Sequence, residues 1–300
     1  SVLVAGYGYD KANLARINYQ YLGLFPVLSY EFVLSGYPPI LFYRKNTSQT
    51  QMDRQRKETT LSVYLPLRLS EGRFSTIFYP FFQMISSNDY LFSVKDSIYH
   101  KGFQRFNYRI YLSSLQKQAI KDVRPRVGFA TDINFENAPF NRSNYGSLIS
   151  WDISLYLPGL WRNHSVLFKS SNQKQHLRNY YYPNKIEFPR GYFDFKSENF
   201  RSVSFEYLTP VAYPDISLGS LVYFKRISLN AFYDYAENRY PINKSQKQTD
   251  YMRSFGFEIF TDLHIFRTRY PIQIKLQQGW MGNNLSPFNS FSIFIDYYGH

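Results

Sequence analysis

The sequence predicts an all-β fold, a transmembrane antiparallel β-barrel with 14 recognisable strands. Three observations carry this prediction. Polar and apolar residues alternate with the period of two that a strand imposes on its side chains. No apolar run approaches the roughly 18 residues of a membrane helix, although 20% of the 300 residues are aromatic, 29 Tyr and 28 Phe among them. Short, tight links also interleave with long polar ones, the asymmetry that outer-membrane barrels show between their two sides.

The first three strands are expected at about 2–9, 12–21 and 26–35, the last two joined across Leu22-Gly23-Leu24-Phe25. The fourth, 58–69, alternates clearly: in Leu61-Ser62-Val63-Tyr64-Leu65-Pro66-Leu67-Arg68-Leu69 every odd position is aliphatic, and Ser, Tyr, Pro and Arg share the other face. Ser70-Glu71-Gly72-Arg73 turns the chain into 74–85, and 102–114 and 125–136 follow. In 146–157, the run Ile149-Ser150-Trp151-Asp152-Ile153-Ser154-Leu155-Tyr156-Leu157 places Asp152 and Ser154 opposite the apolar face, which suits a hydrated lumen. Pro158-Gly159-Leu160-Trp161 leads into 163–172. The remaining strands are 200–209, 221–235, 251–264, 270–280 and 289–298, with Phe266-Arg267-Thr268-Arg269 as a further tight link. Most match the ~9–11 residues that cross a bilayer at a tilt. The long links, 36–57, 86–101, 137–145, 173–199, 236–250 and 281–288, then fall on one side, the extracellular one. A soluble two-sheet sandwich shares the alternation, but the one-sided placing of long links favours the barrel. Phe25-Pro26 and Trp161 at tight turns fit an interfacial aromatic girdle.

Composition agrees. Mean hydropathy is -0.40 because lipid-facing and lumen-facing residues average out. The net charge of +13 lies mainly in turn-like segments such as Arg44 to Lys57, which fits lipid headgroups better than nucleic acid. No Cys is present, so neither a disulfide framework nor a thiolate metal site exists. Ser1-Val2-Leu3-Val4 enters a strand pattern without a basic leader region and reads as a mature or trimmed product. Without repeats or linkers, residues 1–300 read as a single barrel domain, any periplasmic N-terminal module lying outside this chain.

Catalytic signatures are absent. His100, His164, His176, His264 and His300 lack metal-ligand spacing, and no glycine-rich phosphate loop occurs, so no metal, cofactor or enzyme activity is expected. Asn163-His164-Ser165 pairs a base with a hydroxyl, but adjacent strand residues point to opposite faces. Arg54-Gln55-Arg56-Lys57 reads as solvated loop surface.

The link 173–199 differs. Tyr180, Tyr181, Tyr182, Phe188, Tyr192, Phe193 and Phe195 make it too aromatic for a solvated loop, so it is expected to fold back into the lumen. It carries Phe188-Pro189-Arg190-Gly191-Tyr192, and a guanidinium delivered inside needs partners. In Val203-Ser204-Phe205-Glu206-Tyr207, Leu229-Asn230-Ala231-Phe232-Tyr233-Asp234 and Phe255-Gly256-Phe257-Glu258-Ile259, parity turns Glu206, Asp234 and Glu258 inward. One charge-assisted bond from Arg190 to any of them contributes ~1.5–3 kcal/mol.

Phe188-Pro189-Arg190-Gly191-Tyr192, followed by Ser204-Phe205-Glu206-Tyr207-Leu208-Thr209-Pro210 and Asn230-Ala231-Phe232-Tyr233-Asp234, resembles the BamA and TamA superfamily of outer-membrane insertases and two-partner transporters. The resemblance covers roughly Tyr180 to His300. It implies a 16-stranded barrel in which an arginine-glycine-aromatic loop tip docks in the lumen, with Arg190 as the docking residue, Asp234 as first partner, and Glu206 and Glu258 as second-line partners. Ala212-Tyr213-Pro214-Asp215 through Tyr223-Phe224-Lys225-Arg226 resembles the subgroup attached to periplasmic β-propeller repeats. Two departures stand out. Five strands follow the loop, as in the superfamily, but nine precede it where the superfamily has eleven, so two N-terminal strands are expected to be missing. Phe291, Ile293, Ile295 and Tyr297 alternate like a C-terminal assembly signal, yet Gly299-His300 follow where an aromatic end is usual.

The resemblance implies an insertase or translocase that assembles or exports unfolded client proteins, with outer-membrane lipid, lipopolysaccharide and accessory periplasmic or lipoprotein subunits as further partners. In that reading Gly6 and Gly8 weaken the first strand at an opening seam. The alternative is a passive or selective channel of the porin class, with the loop as its constriction.

Overall fold

The computed structural model describes residues 2–9, 13–23, 25–36, 55–70, 72–93, 98–119, 121–141, 145–176, 180–193, 197–219, 221–241, 246–265, 272–282 and 284–295. They form one antiparallel sheet. Its strands are β1 (Val2–Tyr9), β2 (Asn13–Tyr21), β3 (Val27–Gly36), β4 (Gln55–Tyr64), β5 (Leu67–Arg68), β6 (Phe74–Ser93), β7 (Ile98–Gln116) and β8 (Gly128–Asn137). After them come β9 (Ser147–Pro158), β10 (Ser165–Gln175), β11 (Asn199–Ala212), β12 (Ile216–Leu218), β13 (Val222–Pro241), β14 (Lys247–Ile265), β15 (Ile272–Met281) and β16 (Ser286–Ile295).

The sheet counts 16 strands, but its continuous path has 14, because β5 pairs only with β6 and β12 only with β13. Apart from stepping over β5 and β12, every step along that path joins neighbours in sequence, as in an up-and-down barrel. Among the described residues no pairing joins β1 to β16. Gly6 and Gly8 sit in β1 opposite Arg16 and Leu14 of β2.

Two differences from the sequence-based expectation have physical causes. The strand expected at 58–69 breaks into β4 and β5 because Pro66 has no N–H to continue the ladder. Leu65 N still donates to Pro80 O at 3.1 Å, and Leu69 N to Thr76 O at 2.8 Å, which keeps the break in register. Long polar links expected at 86–101 and 236–250 are in large part strand: β6 runs to Ser93, β7 starts at Ile98, β13 runs to Pro241 and β14 starts at Lys247. Ladder bonds satisfy the backbone there whatever the polarity of the side chains, so alternation ends before pairing does.

Polarity across the sheet is inverted relative to a soluble sandwich. Register aligns Phe129, Leu155, Phe168, Phe205, Tyr233, Phe255 and Trp280 in one row across β8, β9, β10, β11, β13, β14 and β15. Phe205 and Tyr233 in this row are 46% and 47% exposed. On the opposite face buried polar side chains outnumber buried apolar ones: Gln173, Glu206, Asn230 and Ser254 are all at or below 1% exposure. A row of exposed rings outside and buried ionisable groups inside is the arrangement of a barrel set in lipid.

Candidate functional site: a loop locked in the lumen

The residues between β10 and β11 fold onto the polar face, and two inward glutamines begin the turn. Gln175 Oε1 accepts the backbone N–H of Tyr182 at 3.2 Å, and Gln173 Oε1 accepts that of Lys185 at 2.8 Å. Gln173 Nε2 donates to Asn184 Oδ1 at 2.5 Å. Loop backbone that would otherwise be buried without partners is thus satisfied by strand side chains. Tyr182 donates its hydroxyl to Gly146 O at 3.1 Å and stacks edge-on against Tyr180, which leans on Phe103. Burial pushes the phenols of Tyr180 and Tyr182 up from their ordinary value. Lys185 Nζ lies 2.7 Å from buried Glu136 on β8.

Farther along, Ile186 packs with Phe200, Ala236 and Met252, and Phe188 and Tyr192 lie against the same cluster. The tip is a turn closed by Tyr192 N donating to Pro189 O at 3.1 Å, with Gly191 at φ 88, the sign a type II turn requires at that position. Tyr192 donates its hydroxyl to Arg253 O at 3.2 Å.

Arg190 sits at the centre. Its Nη1 is 3.0 Å from Asp234 Oδ1, its Nη2 bonds Glu206 Oε1, its Nε is 3.2 Å from Glu258 Oε1, and its backbone N–H donates to Asp234 Oδ2 at 3.1 Å. The guanidinium carbon also lies 4.3 Å from the centroid of the Phe232 ring. One arginine therefore meets carboxylates from β11, β13 and β14, a use that suits its planar fork. Each carboxylate has further support: Ser204 donates to Asp234 at 2.6 Å, Asn230 Nδ2 donates to Glu258 at 2.8 Å, and Lys275 Nζ lies 3.5 Å from Glu258. Arg124 Nη1 lies 2.5 Å from Glu206 Oε2, an ion pair whose approach is off the hydrogen-bond axis. Three cations thus face three carboxylates, so the cluster's charges are paired within it.

Sequence parity places Glu206, Asp234 and Glu258 on the inner face, and the structure brings all three to Arg190. Arg124, Asn230 and Lys275 were missed. Asn230 and Lys275 had a readable signal, since Asn230 shares its parity with Asp234 and Lys275 with Gln277 on β15. Arg124 lies in a link between strands, where no alternation exists. Phe291 and Ile293 are 61% and 56% exposed on β16, and Ile295 is its last residue; Tyr297 lies outside the described residues. His164 engages Tyr207 Oη at 2.8 Å and Thr209 Oγ1 at 3.0 Å, while Ser165 donates to Pro125 O at 3.2 Å, so the two form no nucleophile and base pair.

Gly191 makes the tip testable. A Cβ there would lie 2.8 Å from a Phe288 ring carbon, and the same ring closes on Gly279. Gly191→Ala is expected to destabilise the seated tip by the ~1–2 kcal/mol that a left-handed conformation costs an L-residue, plus the ring overlap, and so to lower the heat-modification midpoint. Adding Phe288→Ala is expected to recover the overlap part only, read by gel shift against temperature.

No sequence-family profile matches this chain, and no curated protein does. Among solved structures it is similar to Pseudomonas aeruginosa OccK10 (OpdN) at 9% identity, over 97% of this chain and 89% of that one, with a TM-score of 0.37. The expected membership of the BamA and TamA superfamily is therefore corrected: no profile match supports it, and a solved chain similar to this one is named OccK10 (OpdN). Among the described residues nine strands of the path precede the loop and five follow it, the count expected from the sequence. A short arginine-glycine-aromatic run set among alternating strands is a local chemical solution to filling a polar lumen, and it does not specify ancestry. The chain's class is an all-β antiparallel sheet of the outer-membrane barrel type.

Proposed function

We propose that the chain forms a restricted solute channel in a bacterial outer membrane, with the docked loop as its constriction. The inverted polarity of the sheet is the observation that carries this reading. The loop packs toward β10, β11, β13 and β14 and leaves a cavity of about 310 Å³ on the β7 to β10 side. Tyr111, Thr131, Asn134, Ser154, Asp152 and Lys169 are among its lining residues. At ~10–15 Å³ for each water, that space accommodates hydrated ions and small hydrophilic solutes. Asp132, also in the wall, is held by Arg109 Nε at 2.8 Å, and Lys185 lies 2.7 Å from Glu136, which leaves Asp152 and the Lys169–Glu187 pair, 3.5 Å apart, as the charges offered to a passing ion. Outside, the exposed aromatic rows meet acyl chains, and the basic links meet lipid headgroups and lipopolysaccharide.

This reading takes the place of the insertase or translocase reading, which rested on the superfamily resemblance and carried the unfolded clients and accessory subunits with it. Its test is conductance in planar bilayers. The chain is expected to give small, steady, ion-selective currents. Because these 300 residues hold no Cys, Ser154→Cys supplies a single thiol, and a charged thiol reagent is expected to cut the current of that variant at least twofold while leaving the parent unaffected. Flat traces from both the parent and Arg190→Ala would overturn the channel.

A further inference from the structure

The geometry points to a second constriction, at the mouth opposite the docked loop: residues 121–127 form a strap latched across the lumen, and Glu206 couples that strap to the loop. The strap belongs to the link between β7 and β8, yet its contacts reach far beyond those two strands. Lys121 O accepts the Tyr213 hydroxyl at 2.8 Å, Asp122 O accepts Arg226 Nη1 at 2.7 Å, and Pro125 O accepts the Ser165 hydroxyl at 3.2 Å. Tyr213 follows β11, Arg226 lies on β13 and Ser165 opens β10. From β8 to β13 the sheet counts four strand spacings, ~19 Å along its surface. A link made only to join adjacent strands needs no such reach.

The anchor on the far wall is rigid. Arg226 is held by Asp262 through Nε at 2.9 Å and Nη2 at 2.5 Å, and Asp262 also accepts Gln273 at 2.7 Å. Two nitrogens of that guanidinium are thereby committed to the wall, and Nη1 is turned to the strap backbone.

Glu206 carries the coupling. Its Oε1 takes Arg190 from the loop and its Oε2 takes Arg124 from the strap, one carboxylate oxygen for each mouth. At 1% exposure it has no bulk water with which to replace either partner. The loop keeps Asp234 and Glu258 when Glu206 is lost, whereas Arg124 has no second carboxylate among the described contacts. Release of the strap is therefore the easier event, and by linkage whatever weakens one arginine's hold on Glu206 alters the other's.

The inference rests on the channel reading for its consequence, so its test uses a readout that needs no current. Ser165→Cys places a single thiol beneath the strap in a chain otherwise free of Cys. Its rate of modification by a bulky thiol reagent is measured in the folded, heat-modifiable protein, alongside Ser154→Cys in the cavity beside the loop. Arg124→Gln is expected to raise the rate at position 165 at least tenfold with little change at 154. Glu206→Gln is expected to raise the rate at 165 as much and the rate at 154 less, since the loop keeps Asp234 and Glu258. Arg124→Lys, which keeps the charge, serves as the variant least disturbing to folding and is expected to fall between parent and Arg124→Gln. Equal rates at 165 in the parent, Arg124→Gln and Glu206→Gln would overturn the strap. A rise at 165 in Arg124→Gln with no response at 154 in Glu206→Gln would overturn the coupling. A protein that never conducts yet shows the expected rates would sink the channel and leave the strap standing.

Discussion

Arg190→Ala is expected to open the lumen and to destabilise the barrel together, the largest single effect in the molecule. The substitution leaves Glu206, Asp234 and Glu258 facing only Arg124 and Lys275. Removing one partner of a buried ionic cluster costs ~3–5 kcal/mol, because the remaining charges stay desolvated. The loop backbone loses its own bond to Asp234 at the same time if the tip withdraws. Bilayer recordings are expected to show a conductance several times that of the parent, and the heat-modification midpoint is expected to fall. Arg190→Lys separates charge from shape: an ammonium reaches one or two of the three carboxylates but cannot present a fork to all of them. A conductance rise close to that of the alanine variant would show that geometry dominates; parental behaviour in both variants would exclude the ion cluster as the lock.

Phe205→Arg tests the opposite face and is the second large effect. Phe205 is 46% exposed midway along β11, between Phe168 and Tyr233 in the aromatic row. In a barrel set in lipid, a guanidinium at such a site costs ~2–4 kcal/mol at the bilayer midplane and less toward the interfaces. Folding yield into vesicles is expected to drop sharply. The same residue at Ser202, inward on the same strand, is expected to be tolerated far better, since inward groups meet water and counter-charges. Equal tolerance at both positions would contradict the inside-out sheet.

Much of this architecture was legible because one physical rule governs both faces of a strand. Leu155 and Phe205 announce lipid and Asp152 and Glu206 announce the lumen by parity alone, and the same parity turned Asp234 and Glu258 toward Arg190. Strand ends were less legible. Ladder bonds continue through Ser93 and Pro241, past the point where alternation stops. The strap was illegible, because Arg124 is placed by the carbonyl and carboxylate contacts of a link with no periodicity. Ancestry was the least legible of all. Alternation and an arginine turn are what any plugged barrel requires, so they carry chemistry without kinship.

The ring of Phe288 gives the molecule an order of events. It lies on β16, the last strand, and its edge meets Gly191 at the loop tip and Gly279 on β15. Asp234 and Glu258 likewise come later in the chain than the arginine they hold. The full set of docking contacts therefore exists only after the final hairpin has been laid down. Seating of the tip is thus finished by β16, and a chain truncated before Ser286 is expected to hold its loop through Arg190 alone, without the ring that closes over Gly191.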